Sequence, residues 1–329
     1  MASANDQNRI KDTSSVIDVE KAISILGITI EQENEIESFE QLSGGLTNDN
    51  IAVHLKKPLK RIYPQNEKIK IVNDRLVLRR FKRSTSIHLG YDRNREYTNA
   101  KIAADYGISP KVIGFIPADQ EKEGHGGALA LCYVDGTTLE DDNIANMCMS
   151  DLKIKLLTNS LRALHGIKHF ENTFDPFKAR KWYENEVLSL RGNSIEWEDY
   201  KSLITLSTSL EDHLNALEEP FVPCHNDLLA ANFIKQSVND HDQLALIDFE
   251  LSGMAPASWE LGNIISENKL DGNEDAIERL TLHYWLDGEI VQSKTKTKMA
   301  SKSNYESQSM VNHFKDHMVR LGSCTASSE

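Results

Sequence analysis

The chain has 329 residues, 40% hydrophobic and 26% charged, with a formal net charge of −13 at pH 7; that length suits one large domain or two small lobes with an ample core. No apolar run reaches the roughly 18 residues expected of a membrane span, and the polar stretch Met1 to Ser15 lacks the apolar centre of a signal peptide, so a cytoplasmic protein is expected. The acidic balance disfavours a nucleic-acid partner and favours a cationic one, while Cys132, Cys148, Cys224 and Cys324 form no C-x-x-C pair and so suggest neither a zinc site nor a disulfide framework.

Residues 1–15 read as a disordered tail. Val16, Val19, Ala22, Ile23 and Leu26 recur at helical spacing and stop at Gly27, predicting a short helix. The stretch Gln41 to Leu55 is a glycine-centred turn, Ser43-Gly44-Gly45-Leu46-Thr47-Asn48, between two candidate strands. Its glycines let backbone N–H groups approach an anion with no Cβ in the way, so the turn covers phosphates or serves only to reverse a strand. Leu76 to Phe81 is the next strand, with Arg79 on one face between Val77 and Phe81 and Arg80 on the other.

From Ile87 to Gly107 the pattern is helical and carries Glu96 in its first half. A strand cation followed by a helix glutamate fits the ion pair that positions a phosphate-binding side chain in kinases; a solvated surface Glu is the alternative. Gly107 to Phe115 reads as helix stop, turn and strand, and Ala128 to Val134 as a second apolar strand. Asp135-Gly136-Thr137-Thr138 breaks that strand before a mainly helical stretch, which places a domain boundary between 16–134 and 135–290, the nucleotide-binding and the catalytic lobe if the chain is a two-lobed kinase. In a two-lobed kinase backbone groups at such a link receive adenine, which would make Cys132, Tyr133 and Val134 candidates for its edge; ordinary core strand is the alternative. Asp151 to Phe170 and Pro176 to Leu217 are helical in spacing, with His165 expected to pack inside. Ser252 to Ser258 reads as a loop leading to a helix start at Trp259, and 291–329 is a Ser-, Lys- and Thr-rich segment expected to be partly ordered.

The most informative stretch is Cys224-His225-Asn226-Asp227-Leu228-Leu229-Ala230-Ala231-Asn232, spaced H-x-D-x-x-x-x-N, followed by Leu244-Ala245-Leu246-Ile247-Asp248-Phe249-Glu250, an apolar strand that ends on a carboxylate. Phosphoryl transfer needs one carboxylate to receive a hydroxyl proton and oxygen ligands for Mg2+. Asp227 fits the first role, and Asn232 and Asp248 the second; His225 reads as a structural imidazole that bonds the loop backbone. A polar loop holding Asp and Asn by chance is the alternative.

Together with Ser43 to Asn48, Leu76 to Arg79, Asp92 to Glu96 and Gly107 to Pro110, these segments resemble the choline/ethanolamine kinases, and among them the bacterial-type choline kinases, within the aminoglycoside phosphotransferase-like superfamily. The resemblance spans about Ile36 to Tyr284. It implies an α+β, protein-kinase-like two-lobed fold, with an antiparallel sheet in the first lobe and a mainly helical second one. It also implies ATP and Mg2+ as cofactors and transfer of phosphate to the hydroxyl of choline or ethanolamine. By the same resemblance Asp227 is the catalytic base, Asn232 and Asp248 bind magnesium, Arg79 paired with Glu96 takes the phosphate-binding position, and Ser43, Gly44, Gly45, Thr47 and Asn48 form the nucleotide loop. Glu250, Trp259, Glu267 and Trp285, with Tyr284, are the candidates for holding the substrate cation, although each aromatic could equally be core.

Three features depart from the family pattern: Glu260 where Asp is usual, Ala230-Ala231 where Pro and an acidic residue are frequent, and no aromatic-rich stretch beyond Trp285. They leave two alternatives: a kinase of another amino alcohol, thiamine or an aminoglycoside, and a catalytically weak nucleotide-binding protein.

Overall fold

The computed structural model describes residues 17–25, 36–42, 47–57, 74–83, 90–118, 125–140, 143–191, 199–216, 218–238 and 240–293. Ser43, Gly44 and Gly45, the expected N-terminal tail and the polar segment beyond Ser293 lie outside them. The chain divides into two compact units, Met1–Lys101 with Pro110–Tyr133, and Ile102–Ser109 with Val134–Glu329. Among the described residues no helix is long and apolar enough to cross a membrane.

In the first unit, helix α1 (Val19–Ile25) precedes strands β1 (Ile36–Gln41), β2 (Asn48–Leu55) and β3 (Arg75–Phe81), helix α2 (Arg93–Asp105), whose residues from Ile102 onward count with the second unit, and strands β4 (Val112–Ile116) and β5 (Ala128–Cys132). The strands form one sheet in the order β1-β2-β3-β5-β4, and every neighbouring pair is antiparallel. The period of two along β3 sorts its side chains. Leu76 and Leu78 join Ile51, Val53 and Leu55 of β2 and Ala22 and Ile23 of α1 on one face. Val77 and Phe81 gather Leu129, Leu131, Phe115 and Tyr97 of α2 on the other. Arg79 shares that second face, while Arg80 donates to the Ile17 carbonyl beside α1 at 3.0 Å. Helix α2 stops where Gly107 turns left-handed at φ 75°; its N–H bonds Ala104 O and the next N–H, of Ile108, bonds Ala103 O, both at 3.0 Å, which satisfies two terminal carbonyls.

The second unit continues with β6 (Thr137–Thr138), α3 (Ile144–Cys148), α4 (Asp151–His165), α5 (Pro176–Arg191), α6 (Tyr200–Ala216), β7 (Phe221–Cys224), β8 (Phe233–Val238), β9 (His241–Leu246), β10 (Gly253–Pro256), α7 (Ala257–Glu267) and α8 (Glu274–Ser293). Ile154, Leu157, Leu161 and Leu164 make a buried stripe along α4 at helical spacing, and Arg162 ties α4 to α8 by donating to the carbonyls of His283 and Tyr284. Each fully buried side chain of this size contributes about 1.5–3 kcal/mol relative to exposure.

Several elements differ from the sequence expectation. The stretch expected as a loop before α7 contains β10, paired antiparallel with β7; Gly253 is required there, because a Cβ would sit 2.6 Å from Asn172 Nδ2 and 2.9 Å from Phe174 N. Helix α4 ends at His165 rather than near Phe170, and the long helical stretch after Pro176 is two helices. The presumed break at Thr137-Thr138 is a short strand paired with β8.

Candidate active site

Strand β7 delivers the chain to a loop whose Asn226 is left-handed, φ 64°, and β9 delivers it to Asp248, also left-handed at φ 70°. Such backbones are costly for residues with a Cβ and concentrate where function demands a particular side-chain direction. The two segments are tied together. Asn232, on a single 3-10 turn over Ala230–Asn232, donates Nδ2 to Asp227 O at 2.8 Å and to Asp227 Oδ2 at 3.0 Å. Its carbonyl accepts from Ile247 N at 3.0 Å. His225 donates Nε2–H to the Ile247 carbonyl at 2.8 Å, which fixes the proton on that nitrogen. The imidazole is therefore a tie between loop and hairpin.

Asp227, Asn232 and Asp248 are thus brought together. Burial pushes the Asp227 carboxyl above the usual aspartate range; the nearby Asp248 and Glu250 carboxylates add to this, while His225 and the Asn232 hydrogen bond oppose it. With its Nδ2 engaged by Asp227, Asn232 keeps Oδ1 as a donor atom, and with the Asp248 carboxylate it offers the hard oxygen ligands that suit Mg2+.

Helix α7 braces this loop from behind. Glu260, fully buried, accepts His225 N–H on Oε1 at 2.9 Å and Asn226 N–H on Oε2 at 3.3 Å. The longer side chain at this position therefore still reaches both amides. Burial raises its carboxyl, against the pull of His225 and these hydrogen bonds. One turn on, Asn263 Oδ1 accepts Leu228 N–H at 2.8 Å, and Asn268, at the end of the helix, bonds Leu228 and Ala230. Glu267 is exposed on the same helix and lies close enough to Asp227 for that carboxylate, after partial burial, to raise its own.

Beneath the loop, Cys224, His165, Tyr284 and Glu260 form a buried polar group. His165 Nδ1 meets Tyr284 Oη at 2.5 Å, Cys224 Sγ approaches Ala255 O at 3.5 Å, and burial lowers the His165 pKa to about 3, keeping the ring neutral. His165, Cys224 and Glu260 place one ligand-type atom each within 4.8 Å of one another. Both Glu260 oxygens already serve backbone amides, so the group is a hydrogen-bonded brace.

In the first unit, Arg79 Nε lies 2.9 Å from Glu96 Oε1, and Arg93 Nη1 lies 2.6 Å from Glu96 Oε2. All three are buried, and Arg93 is flanked by the rings of Phe81 and Tyr91. Arg93 escaped the sequence reading, although its i, i+3 spacing to Glu96 was a usable signal. Asn48 is buried and donates Nδ2 to Thr47 Oγ1 at 2.8 Å. Cys132 ends β5, with its N–H on Lys111 O at 2.8 Å, and Tyr133 lies under the Arg75 guanidinium at 4.3 Å; Val134 begins the second unit's main segment.

Of the substrate candidates, Glu250 and Glu267 fall within electrostatic reach of Asp227. Trp259 packs edge-on against Phe177, and Trp285 against the buried Tyr284. Each indole therefore has a packing role in the helical unit.

A family model described as choline/ethanolamine kinase matches residues 39–313. Human ethanolamine kinase 2 is 23% identical over 263 residues, which cover 75% of this chain and 59% of that protein, so the match spans less than two thirds of this relative's length. Among solved structures, LicA in complex with AMP aligns with a TM-score of 0.55 at 22% identity, over 91% of this chain and 97% of that one. A choline/ethanolamine kinase family protein from Mesorhizobium loti gives a TM-score of 0.55 at 20% identity, over 91% and 94%. At these identities the structural likeness shows the fold, a kinase-like α+β architecture.

Proposed function

This chain belongs to the choline/ethanolamine kinase family, and from that premise we propose that it transfers the terminal phosphoryl group of ATP, with Mg2+, to the hydroxyl of choline or ethanolamine. The products are the phosphomonoester and ADP. The observation that carries this reading is the Asp227–Asn232 hydrogen bond at 3.0 Å beside Asp248 on the adjoining hairpin.

In this reading Asp227 orients the substrate hydroxyl and receives its proton as the oxygen bonds to phosphorus. Burial and neighbouring carboxylates raise its pKa, which makes it a better proton acceptor than an ordinary aspartate once ionised. Asn232 and Asp248 hold the cation, which when bound neutralises charge on the transferring phosphate and on the leaving ADP. Arg79, aligned by Glu96, grips phosphate as a permanently charged fork, with Ser43, Gly44, Gly45, Thr47 and Asn48 as the nucleotide loop and Cys132, Tyr133 and Val134 as the adenine edge. Glu250 and Glu267 attract the substrate's ammonium group, and Trp259 and Trp285 complete the set of substrate candidates.

A coupled ADP-release assay over choline, ethanolamine and thiamine, with and without Mg2+, tests the proposal. Mg2+-dependent turnover of choline or ethanolamine is expected. Silence over the whole panel rejects it, and nucleotide binding without turnover would instead favour a non-catalytic nucleotide-binding protein.

A further inference from the structure

The 3-10 turn that carries Asn232 has no cap of its own: Leu229, which precedes it, offers no side-chain acceptor. The cap comes from 38 residues away, where Asn268 Oδ1 accepts Ala230 N–H at 2.9 Å. The same amide donates to Leu228 O at 2.7 Å and to Ile264 O at 2.7 Å. One N–H partner on the oxygen and two carbonyl partners on the nitrogen fix the orientation of the side chain, since a flip would set oxygen against oxygen. Leu228, the neighbour of Asp227, is thereby held at its N–H by Asn263 and at its C=O by Asn268. The peptide groups on both sides of Leu228 and the start of the Asn232 turn share one clamp, in a loop whose own Ala230-Ala231 sequence provides no proline to stiffen it.

We infer that Asn268 is a positioning residue for the proposed reaction, setting the geometry of Asp227 relative to Asn232. The inference rests on the kinase reading above. It touches neither substrate nor cation in this role; it removes freedom from the segment between the two groups that do. A residue acting this way affects kcat and the cation requirement, and leaves substrate affinity largely alone, because misplacing reacting groups weakens the transition state more than the ground state.

The test compares Asn268→Ala with Asn273→Ala in the full chain. Asn273 is the matched control, a cap for α8 through Ala276 N–H at 3.2 Å. Asn268→Ala is expected to lower kcat roughly 10- to 100-fold with the amino-alcohol KM changed by less than about twofold, and to raise the Mg2+ concentration for half-maximal rate. Asn273→Ala should lower thermal stability without either effect. An unchanged kcat and Mg2+ dependence in Asn268→Ala, or an equal kcat loss in Asn273→Ala, overturns the inference. Should Asn268→Ala fail to fold, Asn268→Asp carries the test: it keeps the acceptor for Ala230 N–H, loses both donors, and must show the same split between kcat and KM. If the unaltered chain turns over no amino alcohol, the kinase reading falls, and hydrogen exchange at the Leu228 and Ala230 amides decides the clamp. Faster exchange in the Asn268 variant alone supports it, and unchanged exchange rejects it.

Discussion

His225 and Ile247 are joined by a 2.8 Å hydrogen bond from imidazole Nε2 to the backbone carbonyl directly before Asp248. A ring at the start of the catalytic loop thus fixes the strand end that presents the second carboxylate. The arrangement explains why a histidine with no proposed role in proton transfer sits fully buried beside the reacting groups.

Asp227→Asn should lower kcat by about 10²- to 10⁴-fold and raise stability near neutral pH. The folded-state carboxyl is raised by burial and by Asp248 and Glu250, so the ionised form costs folding energy at every pH above its folded value. That cost declines as pH falls and disappears below the ordinary aspartate value of about 3.9, where both states are protonated. Thermal melts of the two proteins at pH 8 and pH 4 read this directly. A stability gain equal at both pH values would refute the electrostatic origin.

The same raised carboxyl shapes the pH–rate profile. If Asp227 accepts the proton, kcat/KM must fall with acidification through a pKa above about 3.9. A profile flat down to that value would remove Asp227 from the role.

Asp227→Ala and Asp248→Ala should separate chemistry from nucleotide binding. The first is expected to abolish turnover with Mg2+–nucleotide affinity changed by less than about threefold, and the second to weaken that affinity at least about tenfold, because of these two aspartates Asp248 alone is proposed, with Asn232, as a cation ligand. Calorimetric titration with a non-hydrolysable nucleotide measures both. Equal losses would show that the division of roles is wrong.

Glu96→Gln removes the charge that two buried guanidiniums share. Breaking a buried ion pair on one side costs about 3–5 kcal/mol, so the denaturant midpoint should fall sharply. Replacing Arg79, Arg93 and Glu96 together by methionines should recover much of the loss, since no guanidinium is then left buried without its carboxylate, and a Glu96→Gln cost under about 1 kcal/mol would contradict the burial argument.

Glu260→Ala strands the amides of His225 and Asn226 in the interior. An unsatisfied buried donor costs about 1–3 kcal/mol, and kcat should fall alongside stability. Retained kcat would mean that the loop keeps its shape without this carboxylate.

Much of this was legible from the chain. The alternation in β3 placed Arg79 and Arg80 on opposite faces, the glycine after α2 marked its end, and the H-x-D-x-x-x-x-N spacing named the residues that the structure gathers with Asp248. Strands β7 and β10 were hidden because each has four residues, one of them proline, and Gly253 gives a turn signal although its actual role is close packing. The clamp from Asn263 and Asn268 left no local trace: each asparagine looks like any polar position on a helix, and its meaning depends on a backbone that lies 35 to 40 positions earlier. The aromatic candidates were ambiguous for a physical reason, since Trp259 and Trp285 have the same composition signal whether they meet a cation or another ring.

Because four backbone N–H groups between His225 and Ala230 end on side chains of one short helix and its cap, the working shape of the loop lasts only while that helix stays docked. Warming that frays α7 would silence the protein with most of its fold intact, so its inactivation temperature should report a local opening rather than the global melt.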